Sequence, residues 1–588
     1  MSSDLYQALK EDDSIRLLTL LPGSRGSPIS CRLEEVRLSS KPEYMALSYT
    51  WGEPVLTNTI SINGVSKGVR HNLYTALQYL RDTAQAQMLW IDALTINQDN
   101  IPERNQQVKL MNQIYEKSSR TVVWLREEKD SDRPALDLLH LCDLLENDDA
   151  ISINEKYRCV ADAIFWPETS TSDVIIDSLA GIFASDWFSR TWIIQEFTLP
   201  SQVILRCGDS TFRKEGLSLL CEAQNSPPAD WAGLMQPLKQ VIPLNTLRRM
   251  FWQERKLLSE RQKLGGLGFL LHTTCRRFDT SEPRDCVYAL LSLVNTPGSV
   301  LTPDYHLTTA QVFSAATRVS SEPSKLEVFY LLALSCRRPF STLKQSLPSW
   351  VPDFSHRGPT HGRSLQKFND IYCAGGKTSP AFSFSDDELT LTLKGKILDS
   401  VSTVLIGESP DKFESGFIKQ WYGICSDFVN QSVNESGCYP SGESAQECWW
   451  RLAICDVHIS LHKKYSRASS GFGSSYLDEA ISDGAIMDES HLAEEPLRTR
   501  QVEYGLALDV LFSTAALCRT RKGYLGWVSP SAREDDIVCL FQGAAAPWLI
   551  RPRPDGTFLL ISEAYIHGIM YGEALDWDDA DWEDIRLS

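Results

Sequence analysis

Between residues 44 and 197 short apolar runs alternate with amphipathic stretches, and this rhythm limits the fold more than any other feature. YMALSY (44–49), MLWIDAL (88–94) and TVVWL (121–125) have the length and composition of buried strands. HNLYTALQYLRD (71–82) and ERNQQVKLMNQIYEKS (103–118) lie between them as helices; in the second, Val108, Met111, Ile114 and Tyr115 recur at helical spacing. Apolar strands separated by helices predict a small, mainly parallel α/β sheet, because parallel neighbours need crossover connections. Ligands of such sheets bind in loops at the carboxyl ends of the strands. TNTISINGVSKGVR (57–70) adds a hairpin turning at Asn63-Gly64.

Past residue 200 the pattern changes. Residues 201–345 read as a helical region, and 346–588 as a mixed α/β region ending in a small β-rich module. FSFSDDELTLTLKGKILDSVSTVLI alternates as a strand and breaks at Gly395. A helical insert is predicted over 411–463, and a Ser/Gly-rich, acidic flexible loop over 465–496. GYLGWV, DDIVCLF, PWLIRP and DGTFLLISEAYI read as short strands, with a turn at Pro554-Asp555-Gly556. Residues 1–43 form an N-terminal extension. A chain of 588 residues is too long for one core, so several domains are expected.

Bulk chemistry excludes some roles. The formal net charge of -18 argues against a nucleic-acid partner or an anionic membrane surface. MSSDLYQALKEDDSIR has no apolar signal segment, and no run approaches the roughly 20 apolar residues of a membrane span, so a cytoplasmic protein is expected. The fifteen cysteines form no CxxC and read as reduced and mostly buried. Cys455, His458 and His462 fall at i, i+3 and i+7 of a predicted helix. A fourth metal ligand is not evident, and packing accounts for the spacing better than a metal site.

Three motifs carry candidate chemistry. ALSYTWG (46–52) puts Ser48, Tyr49, Trp51 and Gly52 at a strand's carboxyl end, either as core packing or as a ligand floor with a hydroxyl and an aromatic platform. LWIDALTINQ (89–98) sets Asp92 after an apolar run, as a loop cap or facing a ligand. WFSRTWIIQEF (187–197) buries Glu196 among apolar residues. In a helix Trp192 and Glu196 share a face, and a carboxylate there needs either a partner such as Arg190 or a function. P-loop, GxGxxG, G-x-S-x-G and HExxH motifs are all missing, and no Ser/His/Asp spacing supports a hydrolase triad.

Taken in order, ALSYTWG, LWIDALTINQDNIPERNQQVKLMNQIYEKSSRTVVWL and WFSRTWIIQEF resemble the heterokaryon incompatibility (HET) domain of filamentous fungi over about 44–200. EPRDCVYALLSL (282–293), LPSWVPDFS (347–355), GYLGWVSPSAREDDIVCLFQGAAAPWLIRP (523–552) and EAYIHGIMYGEAL (563–575) are similar to the downstream part of long HET proteins. HET domains are in turn remotely similar to TIR domains, whose fold is flavodoxin-like and several of which cleave the nicotinamide–ribose bond of NAD⁺. Those enzymes use a glutamate four residues after a tryptophan at the start of a helix, a spacing that Trp192 and Glu196 reproduce. Ser189 sits where that motif often carries serine, and Ile193 replaces its usual cysteine.

The resemblance implies a TIR-like sheet with ALSYTWG as its first strand, LWIDAL as its second and residues 57–70 as an insertion. It implies a protein of non-self recognition and programmed cell death, with NAD⁺ as substrate rather than cofactor, Glu196 as catalytic carboxylate and Trp192 anchoring its helix. No bound cofactor is implied. Self-association or an incompatibility partner protein is expected. From position, Ser48, Tyr49, Trp51, Gly52 and Asp92 line the substrate, while Arg126 and Arg190 meet the pyrophosphate. A non-enzymatic signalling module is the competing reading.

Overall fold

The computed structural model describes residues 5–165, 171–223, 237–239, 241–257, 266–275, 277–294, 301–321, 327–336, 347–355, 364–386, 389–406, 415–436, 438–459, 465–469, 516–577 and 581–588. It divides into two compact units, Met1–Thr309 and Ala310–Ser588.

The first unit is built on a nine-stranded sheet: β1 (Ser14–Leu20), β2 (Ser30–Arg37), β3 (Met45–Tyr49), β4 (Asn58–Ile62), β5 (Val65–Val69), β6 (Gln87–Trp90), β7 (Arg120–Arg126), β8 (Val203–Cys207) and β9 (Ser210–Arg213). Their order is β5-β4-β2-β1-β6-β3-β7-β8-β9. The sheet is mixed, which corrects the expectation of a mainly parallel one. The block β6-β3-β7-β8 is parallel throughout. On one side β1 joins it antiparallel to β6, with β2 antiparallel to β1; on the other β9 returns antiparallel to β8. The difference has a local cause. SIRLLTL, inside the expected N-terminal extension, is a strand buried along nearly its whole length. Its one charge, Arg16, is satisfied there by Glu103 at 2.6 Å and by the Thr95 carbonyl at 3.1 Å. The hairpin turns where expected, with Asn63 at φ 52° and Gly64 at φ 81°.

Helices follow the apolar spacing. In α1 (His71–Leu80), Leu73, Ala76, Leu77 and Leu80 form one buried stripe against Leu47, Tyr49, Leu89 and Trp124 of the sheet. The short α2 (Asp92–Thr95) follows β6. Next comes α3 (Ile101–Lys117), capped by Asn100, whose side chain accepts from the Glu103 amide. Between β7 and β8 the chain makes a long excursion through α4 (Arg133–Glu146), α5 (Ile153–Phe165), α6 (Thr171–Phe183) and α7 (Ile193–Thr198). Helix α8 (Lys214–Ala223) follows β9 and packs on α4 and α5. The region from 201, read from sequence as helical, therefore starts with two strands.

The second unit holds β10 (Phe382–Phe384), β11 (Leu391–Leu405), β12 (Val457–Ile459), β13 (Tyr465–Arg467), β14 (Ala516–Thr520), β15 (Leu525–Val528), β16 (Ile537–Phe541), β17 (Trp548–Pro552), β18 (Phe558–Glu563), β19 (Tyr565–Ile566) and β20 (Glu583–Leu587). Strands β11, β16, β17, β18 and β20 close into a ring. The fifteen-residue β11 serves several partners in turn, pairing β20 over 391–395, β16 over 395–400 and β14 over 401–405. Gly395, the break in the sequence pattern, pairs with both β20 and β16. A Cβ there would lie 2.7 Å from Ile585 Cγ1 and 3.0 Å from Cys539 Sγ. Gly395→Ala is expected to cost about 1–3 kcal/mol through overpacking. The urea midpoint of the full chain measures this, and an unchanged midpoint would show that the crossing has slack.

Two expectations in this unit need correction or cannot be placed. Cys455 and His458 do not share a helix face, because the helix ends at Ala453, Cys455 lies in a left-handed turn at φ 49°, and His458 is in β12. His462 lies outside the described residues, as does the predicted flexible loop beyond residue 469. Among the described residues no helix is long and apolar enough to cross a membrane.

Candidate active site at the carboxyl edge of the central strands

Strands β3 and β6 both end at one edge of the parallel block, and α7 is brought to the same edge. Ser48 and Tyr49 are the last residues of β3 and are fully buried. The exit from β3 is fixed by three contacts. Asn72 donates to the Thr50 carbonyl at 2.6 Å and accepts from Trp124 Nε1 at 2.9 Å, and Arg70 donates to the Gly52 carbonyl at 2.8 Å. Gly52 has φ 71°, a conformation that favours glycine, so this position is used for the turn. Arg70 also lies over the Trp51 ring, 5.1 Å from its centroid.

Glu196, in the first turn of α7, is 2% exposed. It accepts a short hydrogen bond from Ser48 Oγ, and Ser48 in turn accepts from Trp187 Nε1 at 2.6 Å. Arg190 stands 3.6 Å from Glu196 Oε2 and donates to the Tyr49 carbonyl at 2.5 Å. Asp92, at the first position of α2, accepts from Trp51 Nε1 at 2.8 Å and from the Ala93 amide at 2.7 Å. The sequence-predicted Ser48, Tyr49, Trp51, Asp92, Arg190 and Glu196 therefore converge. Arg126 does not join them. Its guanidinium grips both oxygens of Asp132, at 2.6 and 2.8 Å, and donates to the Gly181 carbonyl. The sequence suggested that Trp192 anchors α7; its indole N–H donates to Asp285 at 2.8 Å.

The electrostatics follow from two carboxylates and one cation withdrawn from water. Burial raises the pKa of Glu196, opposed by Arg190 and the Ser48 hydrogen bond and reinforced by Asp92. Asp92 is raised by burial in the same way, again opposed by Arg190. Burial alone would lower Arg190, but Glu196 and Asp92 outweigh it, and the guanidinium stays charged. Tyr115 of α3, itself buried, also acts against the rise at Glu196. Sequence reasoning singled out neither Tyr115 as a site residue nor Trp187. Trp187 lies in the same motif as Glu196, but nothing in its position shows that its N–H orients a serine 139 residues away.

Asp285 is a third buried carboxylate, beside Trp192. Burial pushes it up to about 6, against hydrogen bonds from Tyr305 (2.6 Å) and Trp192. Its folded pKa lies above its unfolded value of 3.8. Between these values the folded state holds a proton that the unfolded state has released, so stability falls as pH rises. The change from this group is roughly 3 kcal/mol. Asp285→Asn keeps the shape without the titration. Wild type and variant followed in urea from pH 4 to 6.5 should diverge by that amount, the variant gaining toward pH 6.5. A constant difference would contradict this assignment.

Residues 44–196 match the family described as Heterokaryon incompatibility protein (HET), and residues 490–584 match the Het-6 beta-barrel domain. The chain thus carries one segment that matches the HET domain and another that matches the Het-6 barrel, and the first match ends on Glu196. Along almost its whole length it is similar to one particular protein, Heterokaryon incompatibility protein 6, OR allele, of Neurospora crassa: 26% identical, over 97% of this chain and 96% of that one. No solved structure matches the chain. The barrel match begins well after β11, yet β11 supplies the strand that closes the ring.

Proposed function

We propose that the chain is a heterokaryon incompatibility protein of non-self recognition and programmed cell death, acting as a TIR-like NAD⁺ glycohydrolase with Glu196 as the reacting carboxylate. The supporting observation is the position of Glu196. It lies at the carboxyl end of β3, with Ser48, Asp92 and Arg190 around it. The strands β6-β3-β7-β8 count 2-1-3-4 in chain order, the order of flavodoxin-like sheets, whose ligands bind at the β1/β3 switch point.

The chemistry suits the residues. The C1′–N bond of nicotinamide ribose breaks with its electron pair leaving on nicotinamide, which departs neutral and needs no general acid. Water adds to C1′ and releases a proton. Positive charge grows on the ribose in the transition state, as in glycoside hydrolysis, and an oriented carboxylate stabilises it. Ser48 and Trp187 fix the Glu196 rotamer, Trp51 offers a ring to stack on a base, and Arg190 is the cation for the pyrophosphate. Purified full-length protein incubated with millimolar NAD⁺ is expected to release nicotinamide. No release, including from self-associated protein, defeats the enzymatic reading.

One observation favours a second reading. Glu196 is 2% exposed, with Ser48 and Arg190 already on it, as a purely structural carboxylate would be. The protein then signals by self-assembly or partner recruitment. Toxicity that survives Glu196→Ala but is lost on altering surface helices distinguishes the two.

A further inference from the structure

Helix α7 is six residues long and its N-cap residue, Trp192, makes no side-chain cap. A helix of that length has no stability of its own in water, so contacts from elsewhere must set its direction and that of Glu196. Besides Ser48 and Arg190 on the carboxylate itself, those contacts come from beyond residue 196. At the N-terminal side, the Asp279 carbonyl accepts from the Thr191 amide at 2.9 Å and from its hydroxyl at 3.0 Å, and Arg190 and Asp279 form a parallel bridge. Asp285 takes the Trp192 indole N–H, and the Ala289 carbonyl accepts from Gln195 Nε2 at 2.8 Å. At the C-terminal side Arg248 donates to the carbonyls of Phe197 (2.7 Å), Thr198 (3.0 Å) and Pro200 (3.2 Å), and Lys214 also reaches Pro200. Cations on the last carbonyls of a helix oppose its dipole favourably.

Within this frame Asp285 is the side chain that carries the load. It is buried, and one oxygen takes Trp192 while the other takes the Tyr305 hydroxyl. Tyr305 is itself held: Arg104 of α3 lies over its ring at 4.2 Å, Tyr288 meets it edge-on at 5.3 Å, and Arg284 donates to its carbonyl at 2.9 Å while pairing with Glu282. A rotation of α7 that turned Glu196 away from Ser48 would have to strip a buried carboxylate of one of its two donors, which is unfavourable because the oxygen left behind has no water to replace the lost donor.

We propose that Asp285 is a positioning residue for Glu196, acting through Trp192, so that the working site includes residues 279–289 as well as the matched HET segment. The inference rests on Glu196 being the reacting carboxylate, and its mechanical part can be tested without turnover. In full-length protein, Asp285→Ala is expected to raise hydrogen exchange about tenfold or more in peptides covering 191–198, with β1–β2 peptides unchanged. Asp285→Asn, which keeps an acceptor for the indole, should restore exchange to within about twofold. Trp192→Phe, which removes the same hydrogen bond from the other side, should reproduce the Asp285→Ala effect if that variant folds poorly. With NAD⁺, Asp285→Ala should lower kcat tenfold or more with KM changed less than about threefold. Unchanged exchange in both Asp285→Ala and Trp192→Phe overturns the proposal. Raised exchange in a protein whose wild type releases no nicotinamide upholds the tether and overturns only the activity.

Discussion

Glu196→Gln is expected to lower nicotinamide release by about 10²-fold or more while leaving the fold as stable as wild type within roughly 1 kcal/mol. The two halves of this expectation have separate causes. In the proposed reaction the carboxylate supplies negative charge where the ribose becomes positive, and an amide supplies none. The fold, in contrast, already favours a neutral group at this position, because burial raises the pKa of Glu196. Glutamine has nearly the same shape, and its carbonyl still accepts from Ser48, so the Trp187–Ser48 relay keeps its end point. Arg190 loses one counter-ion but keeps the Tyr49 carbonyl and the field of Asp92. Release assays on purified wild type and variant, beside their thermal melts, measure both halves. Equal release from the two proteins removes Glu196 from the chemistry. Lost release together with a collapsed melt would mean that the carboxylate is structural first.

The sequence made the parallel block legible because its strands are apolar runs of strand length with amphipathic helices between them, and β3, β6 and β7 fall where those runs lie. The antiparallel additions carry weaker signals. Arg16 interrupts the apolar run of β1, and only its pairing with Glu103, 87 residues away, explains how a charge sits inside a buried strand. VILRC and STFR are short strands joined through Gly208, at φ 57°, in a stretch otherwise rich in helix formers. In the site, motif spacing pointed to Glu196, Ser48 and Asp92, since each is a polar residue at the end of an apolar run. It could not separate Arg190 from Arg126, because both are arginines at the edge of an apolar stretch. What separates them is Asp132, six residues after Arg126, which occupies its guanidinium. Asp285 lay in a recognised motif, but its contact with Trp192 spans 93 residues and leaves no local trace.

Arg190→Ala is expected to cost about 3–5 kcal/mol at pH values where Glu196 stays charged, the usual result of leaving one partner of a buried pair uncompensated. Glu196 would then have burial and Asp92 acting against its charge with no cation in opposition, so its pKa would rise further. The sign of the pH effect follows. At pH values above that raised pKa the carboxylate is charged and the deficit is complete. As pH falls toward the unfolded value, about 4.3 for a glutamate, the folded variant takes up a proton and the deficit shrinks. Glu196→Gln in the same background removes the uncompensated charge, so the double variant should recover most of the loss. About 1 kcal/mol should remain for the Tyr49 carbonyl that Arg190 no longer serves. A four-protein urea cycle gives the coupling energy directly. A coupling near zero would show that Arg190 holds the β3 exit and does not neutralise Glu196. A coupling of several kcal/mol would mean that Arg190 cannot turn to a pyrophosphate without uncovering Glu196. In that case an Arg190 that moved to a pyrophosphate, as the proposed function requires, would leave a buried carboxylate without its cation.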